Sequence, residues 1–360
     1  MFAIPKTMRA AVYRGIDDIR IETVPVPRIG DDELLVKVAV CGVCPTDIKK
    51  IHYGLAPPPR IFGHETAGTI VKMGRKVKDF KIGERVALHH HVPCLKCHAC
   101  RHQAFAQCPV YQRTGITAGF EPSGGGFAEY VRVMSFVLPG VVKIPRGNSF
   151  EEAAMLEPVN TVLKAVLKLH LLKGDTALVI GQGPIGLMFT RLLQLRGIRV
   201  VASDLLENRL KLARRMGAHR AWRGDDEEFA RKVMRITGGR GVDAVVLAVP
   251  SEALLPRAQR LVRGGGQILL FADTRRGAGA PLDLASICVD EKDLLGSYSS
   301  DFTLQKQVAR LVFQRKMDVR LIISHRFELA DTAQAIRLAS QPAGNSLKII
   351  VAPRESENAG

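Results

Sequence analysis

The chain has 360 residues, 46% hydrophobic and 24% charged, an ordinary globular composition that excludes wholesale disorder, a collagen-like rod and a coiled coil. At roughly 100–200 residues per domain it holds two domains. Its 52 basic against 35 acidic residues leave a net charge of +17, which invites a nucleic-acid or membrane partner. Neither is expected: no window approaches the roughly 18 apolar residues of a membrane span, and the basic residues never run longer than two. The richest basic patch, Lys72 to Arg85, lacks an aromatic ladder that could stack bases and reads as a solvated surface. The first residues, MFAIPKTMRAAVYRG, carry no secretory pattern, and an odd count of seven cysteines fits a reducing compartment, so a cytoplasmic location is expected.

The first 150 residues read as short strands, with AAVY, IRIETV, ELLVKVAV, GTIVKMG, ERVAL and FAEYVRV separated by Gly, Pro and Asp. Two sets of metal-ligand residue types begin in this half. Cys94, Cys97, Cys100 and Cys108, with two, two and seven residues between them, have the make-up of a closed tetrahedral structural zinc site in a lobe of about 89–110. The common ferredoxin runs are spaced differently, and a reducing compartment argues against disulfides. His98 and His102 are expected at the surface of this lobe, and the run His89–His91 at a strand end beside it. The second set is dispersed: Cys44 in CPTD, His64 and Glu65 in FGHETAG, and Glu157 in MLEP. One thiolate, one imidazole and a carboxylate would make an open, catalytic zinc site, although taken alone a His beside Glu is more often a structural residue and a lone Cys more often a small core hydrophobe.

From Glu151, EEAAMLEPVNTVLKAVLKLHLL has helical spacing, and a new domain is expected to start near residue 156. The strands TALVIG, RVVASD, DAVVLAV and QILLFA then alternate with helical segments, the mark of a doubly wound parallel α/β sheet. GQGPIG follows the first of these strands, with Gly181 for the tight turn, Gly183 for close approach to a pyrophosphate and Gly186 for helix packing. Asp204, eighteen residues after Gly186, ends the next strand, where a carboxylate holds the adenosine ribose and disfavours a 2′-phosphate. NAD is therefore expected over NADP, with Arg209 close enough in sequence to complicate the preference. After Leu294 come a helix near LQKQVARLVFQRK and two strand-like pieces, LIISHRFEL and SLKIIV, which could complete either domain.

FGHETAGTIVKMGRKVKDFKIGERV, the four-cysteine lobe and GQGPIG, in this order, make nearly the whole chain resemble the zinc-containing alcohol dehydrogenases of the medium-chain dehydrogenase/reductase superfamily. The resemblance implies a GroES-like β-barrel catalytic domain (1–155 and 300–360) around a Rossmann domain (156–299), assembled as a dimer or tetramer. It makes Cys44 and His64 zinc ligands, since Thr46-Asp47 follows Cys44, and sets Cys41 aside. Glu65 and Glu157 become the variable carboxylate ligands, and MLEP looks like the sorbitol, polyol and threonine dehydrogenase branch. Asp47 would orient the ligands, Thr46 would accept the hydroxyl proton, and Lys49 or His52 would continue the relay. Pro184 and Ile185 among the glycines, Val249 in VPSE, and Ser297 and Tyr298 in GSYSS would meet the cofactor. The implied activity is zinc-dependent, NAD-linked interconversion of a secondary alcohol (a polyol, cyclitol, vicinal diol or amino alcohol) and its ketone, with two zinc ions per subunit. The alternatives are an ethanol-type enzyme, which Glu157 disfavours, and a basic zinc-lobe nucleic-acid-binding protein with an inactive Rossmann domain.

Overall fold

The computed structural model describes residues 4–89, 91–113, 115–121, 124–250, 252–272 and 277–353. His90, in the expected strand end, and Ser251, in VPSE, lie outside them. The chain forms two compact units, Met1–Asn160 with Ser300–Gly360, and Thr161–Ser299.

The first unit opens with the hairpin β1 (Thr7–Gly15) and β2 (Asp18–Pro25), antiparallel from Thr7↔Pro25 onward. Next come β3 (Leu34–Gly42), α1 (Pro45–His52), β4 (Arg60–Ile61), β5 (Glu65–Met73), β6 (Arg85–Leu88), α2 (His98–Arg101), β7 (Ile116–Thr117), β8 (Tyr130–Val133) and β9 (Val142–Lys143). β3 pairs antiparallel with β5, which brings Gly42 opposite Glu65, and with β8. Its near-continuous burial puts Leu34, Val36 and Val38 in a core shared with Val12, Ile70, Val86 and Val131. The long helical pattern from Glu151 breaks in two, as α3 (Phe150–Ala154) and α4 (Leu156–Val166). The break has a covalent cause: Pro158 has no N–H and its ring would clash with the carbonyl four residues back, so the helix stops at Ala154 and restarts with proline in its first turn. A capping box of Ser149 and Glu152 starts α3.

The second unit alternates β10 (Thr176–Ile180), α5 (Pro184–Leu195), β11 (Arg199–Asp204), α6 (Glu207–Arg215), β12 (Arg220–Arg223), α7 (Phe229–Ile236), β13 (Val242–Leu247), α8 (Leu254–Leu261), β14 (Val262–Leu270), α9 (Leu284–Val289) and β15 (Asp293–Gly296). All its strand pairs are parallel, in the order β12-β11-β10-β13-β14-β15. The order reverses between β10 and β13, the switch point of a doubly wound sheet. Four strands are apolar enough to be read directly. β12, with sequence RAWR, is a short edge strand whose charged ends hide it.

The chain returns to the first unit through α10 (Gln305–Phe313), β16 (Ile323–Glu328), α11 (Thr332–Ser340) and β17 (Lys348–Ala352). Wholly buried β17 pairs antiparallel with β3, Ile350 facing Gly42, and parallel with β16, giving the strand path β16-β17-β3-β5-β6-β9. The late strand-like pieces therefore complete the first unit.

Candidate metal centres and cofactor edge

Cys44, His64 and Glu65 converge: one ligand atom from each lies within 4.8 Å of the others. Local geometry explains the meeting. Cys44 is the N-cap of α1, its carbonyl accepting from the Asp47 and Ile48 amides, with Pro45 fixing the first turn. His64 and Glu65 sit where β5 begins, beside the end of β3. Asp47, in the first turn of α1, is 2% exposed and lies 3.1 Å from His64 Nδ1. A proton on Nδ1 is thereby held by the carboxylate, leaving Nε2 as the nitrogen able to bind a metal. Burial opposes charge on the ring, but Asp47 and Cys44 outweigh it and hold the His64 pKa well above its ordinary value. A thiolate, an imidazole and buried carboxylates are a donor set that suits zinc.

Glu157, near the start of α4, is buried and feels the charges of His64 and Glu65, but it is not among the three residues that converge. Burial pushes its carboxyl up to about 7, with Glu65 adding to the rise and His64 opposing it. Cys41 is a different kind of thiol. It is fully buried, accepts a hydrogen bond from Thr66 Oγ1 at 3.4 Å, and its pKa is driven up mainly by burial.

Along α1, Thr46 and Lys49 are both half-buried and share a face, whereas His52 is exposed, with Nδ1 3.0 Å from Asp17 Oδ2. The segment after β6 carries two more histidines: buried His89, whose pKa burial lowers to about 4, and His91, stacked on Tyr111 at 4.8 Å between ring centroids.

The four lobe cysteines also converge, with Sγ–Sγ separations of 3.5 Å (Cys97–Cys100), 3.7 Å (Cys94–Cys108) and 3.9 Å (Cys94–Cys100). Zinc–sulfur bonds of about 2.3 Å at tetrahedral angles place sulfurs about 3.8 Å apart, so the cluster has the size of a zinc site. It is also far too open for disulfides, which need about 2.05 Å. Backbone amides of Lys96 and Cys97 lower the Cys94 pKa to about 6, favouring the thiolate that a metal needs. His98 and His102 are exposed and face each other at 4.5 Å between ring centroids.

In the second unit the strand registers align Ser203, Ile180, Leu247, Leu270 and Gly296 in one row at the carboxyl edge of the sheet. The residues just beyond that row are Asp204, Gly181, Ala248, Phe271 and Ser297, so three of the expected cofactor contacts, Asp204, Gly181 and Ser297, leave the sheet along the edge where doubly wound sheets bind ligands. Gly181 takes φ +91°. A side chain at Gly186 would strike the Gly181 carbonyl, while one at Gly183 would meet open space. Pro184 and Ile185 are half-buried in the first turn of α5, and Val249 follows β13 against Gly181. Asp204 accepts the Gln182 amide at 2.6 Å and the Leu206 amide at 3.0 Å, with Arg209 Nη1 at 3.8 Å. Ser297 is buried, with no hydrogen-bond partner for its hydroxyl among the described residues, and Tyr298 is exposed.

Three positions important to these sites escape a sequence reading. Buried Lys348, from β17, donates to Glu65 Oε1 at 2.5 Å and to the Val43 carbonyl at 2.9 Å. Gly42 makes room for that pair, since a side chain there would run into the Glu65 carboxylate and the Lys348 stem. Gln182, wholly buried, braces the glycine turn by bonding the Val179 carbonyl and Thr190. Only Gln182 carries a local signal, as the polar residue between two glycines.

Comparison with known proteins agrees with this architecture. Residues 30–146 match the alcohol dehydrogenase GroES-like domain and residues 184–314 the zinc-binding dehydrogenase family. The chain is 31% identical to the sorbitol dehydrogenase of Bacillus subtilis over 356 residues, covering 97% of this chain and 98% of that one. It is 31% identical over 357 residues to D-arabinitol dehydrogenase 1 of Uromyces fabae, again covering 97% and 98%. A crystal structure of a zinc-binding dehydrogenase from Sinorhizobium meliloti bound to NADP superposes with a TM-score of 0.87 at 27% identity, covering 97% of this chain and all of that one. The chain belongs to the zinc-containing alcohol dehydrogenase family of medium-chain dehydrogenases, with a GroES-like unit and a Rossmann unit. It is an oxidoreductase acting on a CH–OH group, with zinc and a nicotinamide cofactor as its chemistry. Among the described residues no helix is long and apolar enough to cross a membrane.

Proposed function

We infer that the protein oxidises a secondary alcohol carrying a neighbouring hydroxyl or amine (a polyol, cyclitol, vicinal diol or amino alcohol) to the ketone, with NAD as acceptor. The observation that carries this reading is the convergence of Cys44, His64 and Glu65, with carboxylates, not a second thiolate, beside the histidine. The sorbitol and D-arabinitol dehydrogenases among its relatives support the substrate class.

Cys44, His64 and a carboxylate, Glu65 or Glu157, would hold a catalytic zinc, and Cys94, Cys97, Cys100 and Cys108 a structural one. When bound, zinc supplies a Lewis acid that makes a hydroxyl easier to deprotonate, and the nicotinamide supplies the hydride acceptor. The chain does the rest. Asp47 fixes the His64 tautomer, Lys348 balances the Glu65 charge, and Thr46 takes the hydroxyl proton, with Lys49 on the same helix face to pass it on.

Gly181, Gly183 and the start of α5 would cradle the pyrophosphate, and Asp204 the adenosine ribose. Its carboxylate favours NAD. The homo-oligomer expected for the family is supported by β15, the outermost strand of its sheet, with Leu284 and Val289 of the preceding helix exposed. A cytoplasmic location completes the proposal.

The test is metal analysis together with a panel of polyols, cyclitols, threonine and 2,3-butanediol, followed by NADH absorbance. Two zinc ions per subunit and NADH formation with at least one vicinally substituted alcohol are expected. One zinc and no NAD reduction across the panel would defeat the proposal.

A further inference from the structure

Beyond Gly296 the β15 ladder ends: the Ser297 amide still donates to the Leu270 carbonyl of β14 at 3.2 Å, and the chain then leaves the sheet through Tyr298 and Ser299. Ser299 takes φ +60°, a left-handed conformation that non-glycine residues rarely adopt. The carbonyls of this segment are gathered by two lysines one turn apart. Lys164 Nζ, in the last turn of α4, donates to the Tyr298 carbonyl at 2.9 Å and to the Ser299 carbonyl at 3.4 Å. Lys168 Nζ, in the turn that closes the helix, donates to the Gly296 carbonyl at 2.8 Å.

Ammonium-to-carbonyl bonds are charge-assisted, and a lysine ending in three donors can hold two acceptors at once. With its carbonyls fixed on one side, the segment keeps buried Ser297 just past the carboxyl edge of the sheet, its hydroxyl without a hydrogen-bond partner among the described residues.

We propose that Lys164 and Lys168 are positioning residues for the nicotinamide half of the cofactor, acting through the backbone of residues 296–299 to hold Ser297 where it meets the ring or its carboxamide. The proposal rests on the reading that this segment faces the nicotinamide. The bonds that Lys164 and Lys168 make to Gly296, Tyr298 and Ser299 all go to backbone carbonyls of this segment, so the loss of those bonds falls on one half of the cofactor. The adenosine half would be held by Gly181, Gly183 and Asp204, at the ends of β10 and β11, with β13 and β14 between them and β15 in the sheet.

That asymmetry gives the test. Dissociation constants for NADH and for ADP-ribose, which lacks the nicotinamide, are measured by fluorescence titration and calorimetry on the zinc-loaded wild type, Lys164→Met, Lys168→Met, the double variant, Lys164→Arg with Lys168→Arg, and Ser297→Ala. The double methionine variant is expected to weaken NADH by about tenfold, the scale of one charge-assisted hydrogen bond. ADP-ribose should stay within about twofold, and the arginine pair, which keeps donors at both positions, should recover most of the NADH affinity. Equal weakening of both ligands would assign the lysines a purely structural role and overturn the proposal. Unchanged NADH binding in the lysine variants, with a selective loss in Ser297→Ala, would overturn it while leaving the reading of the segment intact. No selective loss in any variant, Ser297→Ala included, would remove the proposal together with that reading.

Discussion

Lys348 Nζ lies 2.5 Å from Glu65 Oε1, an ion pair joining residues 283 apart in the chain, with side chains only 5% and 1% exposed. Removing one partner of a buried pair strands the other charge, which typically costs about 3–5 kcal/mol. Lys348→Met should therefore lower the urea midpoint sharply, and adding Glu65→Gln should restore much of the loss. Additive effects in the double-mutant cycle would mean that the two side chains are not coupled.

Asp47 holds His64 in position. Asp47→Asn should weaken the catalytic zinc by about 10–100-fold, the usual cost of losing a carboxylate behind a metal-binding histidine. Chelator competition would then remove one zinc early and the other late. Retention of both zincs with wild-type kinetics would remove Asp47 from the site.

The two metal centres should separate by mutation. Cys44→Ser is expected to abolish turnover while one zinc and the melting temperature are largely retained. Cys97→Ser should instead lower the melting temperature and solubility, and a variant that melts like wild type while losing only kcat would contradict the structural assignment of the lobe.

Besides the ribose contact proposed for it, the Asp204 carboxylate pins the Gln182 and Leu206 amides. Asp204→Ala should cut kcat/KM with NAD by about tenfold or more, as a lost charged hydrogen-bond acceptor does, and shift preference toward NADP with Arg209 at hand. An unchanged NAD to NADP ratio would show that Asp204 does not read the ribose.

Acid sensitivity has a defined contributor in Glu33. Burial would raise its pKa, but Arg132 and the Gly30 amide prevail and leave it below the ordinary carboxylate value of 4.5. A depressed folded-state pKa means that the stabilisation is present above the unfolded value and is lost as pH falls through the folded one. Glu33→Gln should be less stable than wild type at neutral pH, and the gap should close as the pH falls well below 4.5. A gap independent of pH would mean that the pair acts through packing alone.

The parts legible in the sequence are those whose chemistry is local. Two-residue gaps between cysteines and glycines at a strand end carry their meaning within a dozen positions. Continuous apolar runs such as TALVI identify buried parallel strands before any pairing is known. Lys348 was illegible for the opposite reason: an isolated lysine ahead of IIV reads as a solvated strand end until β17 is laid beside β3. Gly42 follows the same rule, because only the packed sheet shows what its missing side chain makes room for. The helix break at Met155 was within reach, since Pro158 announces it.

The four-cysteine lobe has its own small cluster of buried side chains, Cys100, Phe105, Ala106, Cys108 and Tyr111, and only one turn of α-helix. So little apolar surface of its own leaves the segment to draw much of its stability from a metal. In a cell short of zinc, the stretch between Cys94 and Cys108 would be the first to open to proteases. The lifetime of the enzyme, and not only its turnover, would then follow the zinc supply.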